Sequence, residues 1–222
     1  MKGAAIVVAG GSGRRMGGRP PKQFLPLGGI PVLRHALGPF IDHPGIRSVV
    51  VVLPAAEAAD PPGWLADLPV SVCAGGAERG DSVRAGLAAV PGDADRILVH
   101  DAARPLVPAD VVDRVFRAAA EGGAIAALPV ADTIQEVDAE GVIIATPDRS
   151  RLYRAQTPQG FPGLSLAEAY RRAAAEEVEA TDDAAIYARF IGPVRIVAGD
   201  ERSLKITGPE DLRIAELFLS GR

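Results

Sequence analysis

The chain has 222 residues, 48% of them hydrophobic, with 24 basic and 28 acidic side chains and a net charge of -4. That length supports one substantial core and is short for two large domains. The charge balance, with no long like-charge run, argues against a nucleic-acid-binding surface. The single cysteine, Cys73, cannot form an internal disulfide or a cysteine-ligated metal site.

Cys73 reads as a small apolar residue near the end of a strand. The apolar start, Met1 to Ala9, is too short to span a membrane and lacks a signal-peptide pattern, so a cytoplasmic location without a membrane partner is expected.

In chain order, short runs rich in Val and Ile alternate with amphipathic stretches. Strands are expected at Ala4–Ala9, Ser48–Leu53, Val70–Cys73, Arg96–Val99, Ala124–Leu128 and Val194–Val197. Helices are expected at Pro31–Phe40, Ser82–Ala89, Ala109–Glu121, Leu164–Glu177, Asp182–Phe190 and Pro209–Leu219, and the Pro/Gly-rich stretch Pro54–Gly63 as a loop. This alternation predicts an α/β fold: a mostly parallel central sheet covered by helices on both faces. Residues 132–153 break the rhythm. Thr133–Val137 and Val142–Thr146 flank a turn that ends in Gly141, the pattern of a protruding β-hairpin. It is either a surface decoration or an arm that reaches a second subunit.

In open parallel sheets, ligands bind beyond the carboxyl ends of the strands. The first strand runs into Ala9, Gly10, Gly11, Ser12, Gly13, Arg14 and Arg15, with Lys22 shortly after. Glycines let the backbone present N–H groups to an anion, and the cations suit a triphosphate. The pattern is neither a Walker A motif nor a dinucleotide fingerprint, and a tight structural turn remains the competing reading. The loop Gly75–Val83 follows the third strand. There Asp81 or Ser82 reads as a helix cap, or the loop reads a base edge. Asp101 and Arg104 follow the Arg96–Val99 strand, at a position that would hold substrate or a metal, although Asp101 could equally cap a turn. No Ser/His/Asp or Cys/His nucleophilic set is legible, and His100 reads as a packed neighbour.

Taken together, the blocks AGGSGRRM, PKQ, GGAERGDSV, HDAARP, DT, DR at Asp148-Arg149, TPQGF, ATDD and LKIT resemble, in order and spacing, the 2-C-methyl-D-erythritol 4-phosphate cytidylyltransferases. The resemblance runs nearly end to end. It implies a single Rossmann-like nucleotidyltransferase domain over 1–222 that transfers CMP from CTP to 2-C-methyl-D-erythritol 4-phosphate and releases pyrophosphate. It implies Arg15, Lys22, Arg149 and Lys205 as catalytic residues. Ala9, Gly10, Gly11, Gly13, Gly76, Ala77 and Ser82 would bind CTP, and Asp101, Arg104, Thr133, Thr157 and Thr181 the acceptor. Mg²⁺ or another divalent cation would be held mostly by the CTP phosphates, with Asp101 as its protein ligand. Thr133, Arg149 and Thr157 would serve a neighbouring subunit's site in a homodimer. Ala77 stands where some relatives carry Asp, so only backbone contact remains there, and Gly10 stands where others have Ala. Ribitol 5-phosphate as acceptor, another nucleotide as donor, or a non-catalytic nucleotide-binding module are the rival readings.

Overall fold

The computed structural model describes residues 2–10, 21–178 and 181–221. The chain opens with β1 (Gly3–Val8), then a two-stranded ribbon, β2 (Pro26–Leu27) and β3 (Ile30–Pro31). Next come α1 (Val32–Ile41), β4 (Ile46–Leu53), α2 (Ala55–Ala59), β5 (Ser71–Ala74), α3 (Arg79–Ala89), β6 (Arg96–Asp101), α4 (Ala109–Ala118) and β7 (Gly123–Pro129). The arm strands are β8 (Glu136–Val137) and β9 (Ile143–Ala145). The chain then runs through β10 (Tyr153–Pro162), α5 (Gly163–Ala175), α6 (Asp183–Phe190), β11 (Val194–Ala198) and α7 (Pro209–Ser220).

Seven of these strands form one sheet in the order β11-β7-β10-β6-β1-β4-β5. Every neighbouring pair is parallel except those made by β10, which runs antiparallel to both β6 and β7. The expected strands and helices are all present, with ends shifted by a few residues. The β2–β3 ribbon was not among the expected strands, and two further elements were not expected. α2 lies inside Pro54–Gly63, and β10 carries Gln156, Thr157, Pro158 and Gln159, which do not read as a strand.

The two-residue period of the strands sorts their side chains to opposite faces. On one face Ala5, Val7, Val49 and Val51 pack with Leu37, Phe40, Val112 and Val115 of α1 and α4. On the other, Ala4, Ile6, Val50 and Val52 pack with Val83, Leu166, Ile186 and Tyr187 of α3, α5 and α6. The spacing of Val111, Val112, Val115 and Phe116 puts an apolar stripe on the inner side of α4. Asp110–Arg114 and Asp113–Arg117 pairs, at 2.6 and 3.0 Å, sit one turn apart on its outer side.

β10 is held in the sheet by polar side chains that are fully satisfied. Gln156 exchanges two hydrogen bonds with the Asp200 backbone at 2.9 and 3.1 Å. Gln159 donates to Asp182 at 2.9 Å and accepts from the Ala184 N–H at 3.0 Å. Next to them, Phe161 is fully buried and stacks on Tyr187 with ring centroids 4.8 Å apart.

The arm turns at Asp138, whose carboxylate accepts the Glu140 and Val142 N–H groups at 3.1 and 2.8 Å, and at Gly141, whose φ of +84° suits a residue without a Cβ.

Phe161 joins the antiparallel strand to the α5–α6 layer. Phe161→Ala is therefore expected to cost about 3–5 kcal/mol of unfolding free energy. A urea denaturation midpoint equal to wild type would contradict this placement of the core.

Candidate active site

The strand order sets β6, β1, β4 and β5 side by side, so the loops after β1, β5 and β6 converge at one edge of the sheet. Backbone bonds lock them together there: the Ala9 N–H to Val52 O at 2.8 Å, Gly75 N–H to Leu53 O at 2.7 Å and Ala102 N–H to Val8 O at 3.0 Å. A cavity of about 440 Å³ opens above, lined by Ala9, Gly10, Lys22, Gly76, Ala77, Ser82, Asp101 and Lys205, and also by Gln23, Glu78 and Arg79. Lys22 and Lys205 thus face one cavity, as the sequence reading required. Gly11, Gly13 and Arg15 lie outside the described residues.

The loop after β5 is shaped by α3. Glu78 precedes the helix and its N–H donates to Asp81 at 3.1 Å, so Glu78 takes the capping position and Asp81 sits three residues in. Ser82 is not the cap. Its hydroxyl donates back to Glu78 O at 3.2 Å. A Cβ on Gly76 would overlap the Asp81 side chain, so this close turn requires glycine.

Lys22 follows Pro21 in a short helical turn, Lys22–Phe24, and its Nζ donates to Ile206 O at 3.1 Å. Ile206 is itself anchored. It is buried in a small cluster with Leu27, Val32 and Ala215, and its N–H donates to Ala103 O at 2.7 Å. Lys205, one residue earlier, is thereby fixed at its backbone while its side chain stays 43% exposed. The Gln23 Nε2, buried at the cavity wall, has no hydrogen-bond partner among the described residues.

Asp101 ends β6 and is the electrostatic centre of the site. Its Oδ1 accepts from Arg79 Nε at 3.1 Å and its Oδ2 from Lys205 Nζ at 2.8 Å. Burial alone would push this carboxyl upward, but the Arg79 and Lys205 charges overcome that and hold it well below the usual carboxylate range. Arg79 also grips Asp183, the first residue of α6, through Nη1 at 3.1 Å and Nη2 at 2.8 Å. Asp183 has no exposed side-chain surface and accepts the Tyr170 hydroxyl at 2.5 Å. Burial and the Asp183 charge together push the Tyr170 phenol up, so it stays a donor.

Beneath Asp101 lies a buried relay. The Thr157 oxygen accepts the Asp101 N–H at 3.1 Å and pairs with His100 Nδ1 at 2.9 Å; His100 Nε2 meets Arg104 O at 3.1 Å. A carbonyl only accepts, so Nε2 carries the proton and the bare Nδ1 accepts from Thr157. Burial pushes the His100 pKa down to about 4, and the ring is neutral.

Several residues expected at the site stand outside the lining of this cavity. Thr157 is 5% exposed, and its hydroxyl is engaged with Asp101 and His100. It supports the floor of the cavity and does not line it. Thr181 is exposed just before α6 and lines no described cavity; its neighbours Asp182 and Asp183 make the contacts, Asp182 by capping α6 through the Ala185 N–H at 2.9 Å. Arg104 does not line the main cavity. Its Nη1 donates to Ser203 O at 2.6 Å and its Nη2 to Ala155 O at 3.3 Å, and it borders an adjoining cleft of about 280 Å³ together with Arg154 and Lys205. Thr133 and Arg149 are exposed on the arm, away from the cavity lining, with Arg149 Nη1 donating to Ala131 O at 2.5 Å.

As a metal ligand Asp101 is limited, since each of its oxygens already accepts from a cation. Among the described residues no group of three or more His, Cys, Asp or Glu side chains could hold a metal ion. Sequence reasoning missed Arg79, Asp183 and Tyr170. Arg79 and Asp183 stand in the GGAERGDSV and ATDD blocks and Tyr170 on an expected helix, but the side chains meet only through the fold, with Arg79 and Asp183 separated by 104 positions.

Known proteins are similar to this chain along nearly its whole length. The family model described as IspD, 2-C-methyl-D-erythritol 4-phosphate cytidylyltransferase, matches residues 4–221. A 2-C-methyl-D-erythritol 4-phosphate cytidylyltransferase from Nocardia farcinica is 46% identical over 98% of this chain and 94% of its own length. One from Symbiobacterium thermophilum is 45% identical over 97% of this chain and 92% of its own length. The crystal structure of the enzyme of the same name from Thermus thermophilus superposes with a TM-score of 0.85 at 35% identity, covering 99% of this chain and 100% of that one.

The neutral, buried His100 predicts an acid-sensitive fold. Its folded pKa of about 4 lies below the ordinary 6.5, so the unfolded state binds the extra proton. The contribution is complete above pH 6.5 and is lost as pH falls toward 4, up to about 3 kcal/mol in all. Urea unfolding followed between pH 7 and 4.5 should show this slope, and His100→Gln should flatten it. An unchanged slope in the variant would mean that His100 is not its source.

Proposed function

Because the chain belongs to the 2-C-methyl-D-erythritol 4-phosphate cytidylyltransferase family and transfers CMP from CTP to 2-C-methyl-D-erythritol 4-phosphate in isoprenoid precursor synthesis, we propose a division of its site between the two substrates. CTP occupies the 440 Å³ cavity and the acceptor phosphate the 280 Å³ cleft beside it. The observation that carries this reading is Lys205, which borders both spaces.

The chemistry needs no general base. A phosphate monoester has its second pKa near ~6 and is largely dianionic at neutral pH. One of its oxygens attacks the α-phosphorus of CTP. The new P–O bond forms as the bond to the bridging oxygen of the β-phosphate breaks, and that electron pair leaves with pyrophosphate. His100, neutral and bonded on both nitrogens, takes no part.

The obstacle is charge. Each pair of unit anionic charges 4 Å apart repels by ~4 kcal/mol at an effective dielectric of 20. Lys22, Lys205 and Arg15 offset that repulsion and stabilise the charge that gathers on the transferring group. Backbone at Ala9, Gly10, Gly11 and Gly13 cradles the phosphates, and Gly76, Ala77 and Ser82 hold the nucleoside. A divalent cation such as Mg²⁺, held mostly by the CTP phosphates, would neutralise phosphate oxygens when bound. Arg104 faces the acceptor cleft and holds its wall through Ala155 and Ser203.

The arm completes the site. Val142, Ile143 and Ile144, in and beside the β9 strand of the arm, are 59–60% exposed and form an apolar stretch. Two copies related by a twofold axis would bury it, and each arm would bring Thr133 and Arg149 to the other's acceptor cleft. No helix of the described residues is long and apolar enough to cross a membrane. We place the reaction in the cytoplasm, where a lone Cys73 stays reduced.

The activity is tested by pyrophosphate release from CTP with 2-C-methyl-D-erythritol 4-phosphate, set against UTP, GTP and ATP and against ribitol 5-phosphate. Release should be fastest with the named pair, and its absence there would overturn the assignment. Lys22→Ala should lower kcat on the order of 10²-fold or more with an unchanged melting temperature; near-normal turnover would remove Lys22 from the mechanism. Arg149→Ala should impair acceptor saturation and leave CTP binding nearly intact. Mixing Lys22→Ala with Arg149→Ala subunits should then restore about a quarter of the wild-type sites, because in a mixed dimer one site carries both changes and the other neither. No recovery after subunit exchange would place Arg149 in its own chain's site.

A further inference from the structure

Arg79 has no part in the mechanism above, yet its guanidinium makes three charge-assisted hydrogen bonds at the cavity wall. One goes to Asp101 and a two-pronged pair goes to Asp183, which is sealed from solvent and takes a further bond from Tyr170 at 2.5 Å. The two cations on Asp101 are therefore unlike. Arg79 is 27% exposed and gripped from behind. Lys205 is 43% exposed, and among the described residues Asp101 is the side chain that holds its ammonium.

We infer that Arg79, clamped by Asp183 and Tyr170, is the fixed counter-ion of Asp101, and that this clamp frees Lys205 to leave Asp101 for the substrates' phosphates. Arg79 and Asp183 are then positioning residues for the transfer, an inference that rests on the proposed placement of the two substrates.

What stays behind when Lys205 moves decides whether it can move at all. A poorly solvated carboxylate that loses its only cation is left uncompensated, and the lysine would be trapped on it. With Arg79 on the other oxygen, Asp101 keeps a cation and a hydrogen bond throughout. Arg79 itself cannot follow Lys205, because its Nη1 and Nη2 are both committed to a buried carboxylate on a helix end. The geometry also explains the residue type. The side chain must bond Asp101 through Nε while presenting both Nη atoms to Asp183, a fork that lysine lacks. Tyr170, a donor only toward Asp183, keeps that carboxylate oriented.

The test is a double-mutant cycle on kcat. Asp183→Asn keeps the shape of the side chain and removes the anchoring charge. It should lower kcat on the order of 10²-fold, as a misplaced catalytic cation does. The KM for CTP should move less than about threefold, and in a Lys205→Ala background the same change should cost less than about threefold in kcat, because the group it positions is gone. Arg79→Lys, which keeps the charge without the fork, should show the Asp183→Asn pattern and not rescue turnover. An Asp183→Asn enzyme with a lower melting temperature but wild-type kcat overturns the inference, as does a full loss that repeats in the Lys205→Ala background. If Asp183→Asn does not fold, Tyr170→Phe takes its place. It should lower kcat several-fold with the same non-additivity, and an unchanged kcat overturns the inference. Pyrophosphate release by the wild-type enzyme reports separately on the substrate assignment, so failure of that assignment and failure of the clamp give different results.

Discussion

The site is organised around a single ionised carboxylate that cannot relax into water. Asp101 ends the central strand β6 with its N–H held by Thr157 and its two oxygens held by cations from opposite directions. Those cations arrive from α3 and from the loop before α7, so the carboxylate ties together three regions that are far apart in sequence. Its charge is what makes the arrangement stable. Burial alone would favour the neutral acid, and only the two flanking cations keep it ionised. The geometry of the cavity wall and the charge state of Asp101 are thus one constraint.

That constraint depends on the strand that runs against the rest of the sheet. β10 lies between β6 and β7, and it brings Thr157 directly beneath Asp101. Its polar residues stay satisfied because the segments on either side supply partners: the Asp200 backbone for Gln156, and Asp182 and Ala184 for Gln159. Asp182 caps α6 at the same point where Asp183 grips Arg79. The buried amides of β10 therefore fix the start of α6, and the start of α6 fixes the arginine that faces the cavity.

Much of this was legible in the sequence because it is periodic. The Val/Ile runs of β1, β4 and β6 face both layers and read as buried parallel strands. The Val111, Val112, Val115 and Phe116 spacing reads as a helix face. The loops at the strand ends were legible from glycines and cations taken together, with a plain structural turn as the alternative reading. What escaped was structure made by polar pairs. Residues 153–162 contain two prolines, two glutamines and a glycine, and nothing local marks them as a strand; the strand exists because its partners come from Asp182 and Asp200. Thr157 and Thr181 were assigned to substrate by family resemblance alone. In the structure Thr157 is a buried support for Asp101, and Thr181 is an exposed neighbour of Asp182 and Asp183, which bond Gln159 and Arg79. Arg79 is not singled out by the sequence, since its partners Asp101 and Asp183 lie on a strand and a helix that sequence spacing does not bring together.

Two kinds of cation follow from these contacts. Arginine appears where a charge must stay: Arg79 and Arg104 spend their forks on carboxylates and carbonyls and hold walls in place. On the proposed placement of the substrates, Lys22 and Lys205, beside Arg15, bring charge to the phosphates. Lys22 and Lys205 carry compact ammonium groups on flexible stems, and each is attached to the same short segment, Lys22 through Ile206 O and Lys205 through the chain itself. Ile206, buried and bonded to Ala103, gives both a common rigid base. A nucleotidyl transfer between two polyanions needs the charge at the reacting phosphorus to be adjustable while the cavity around it is not, and at Asp101 the flexible Lys205 and the forked Arg79 meet those opposed demands by their geometry.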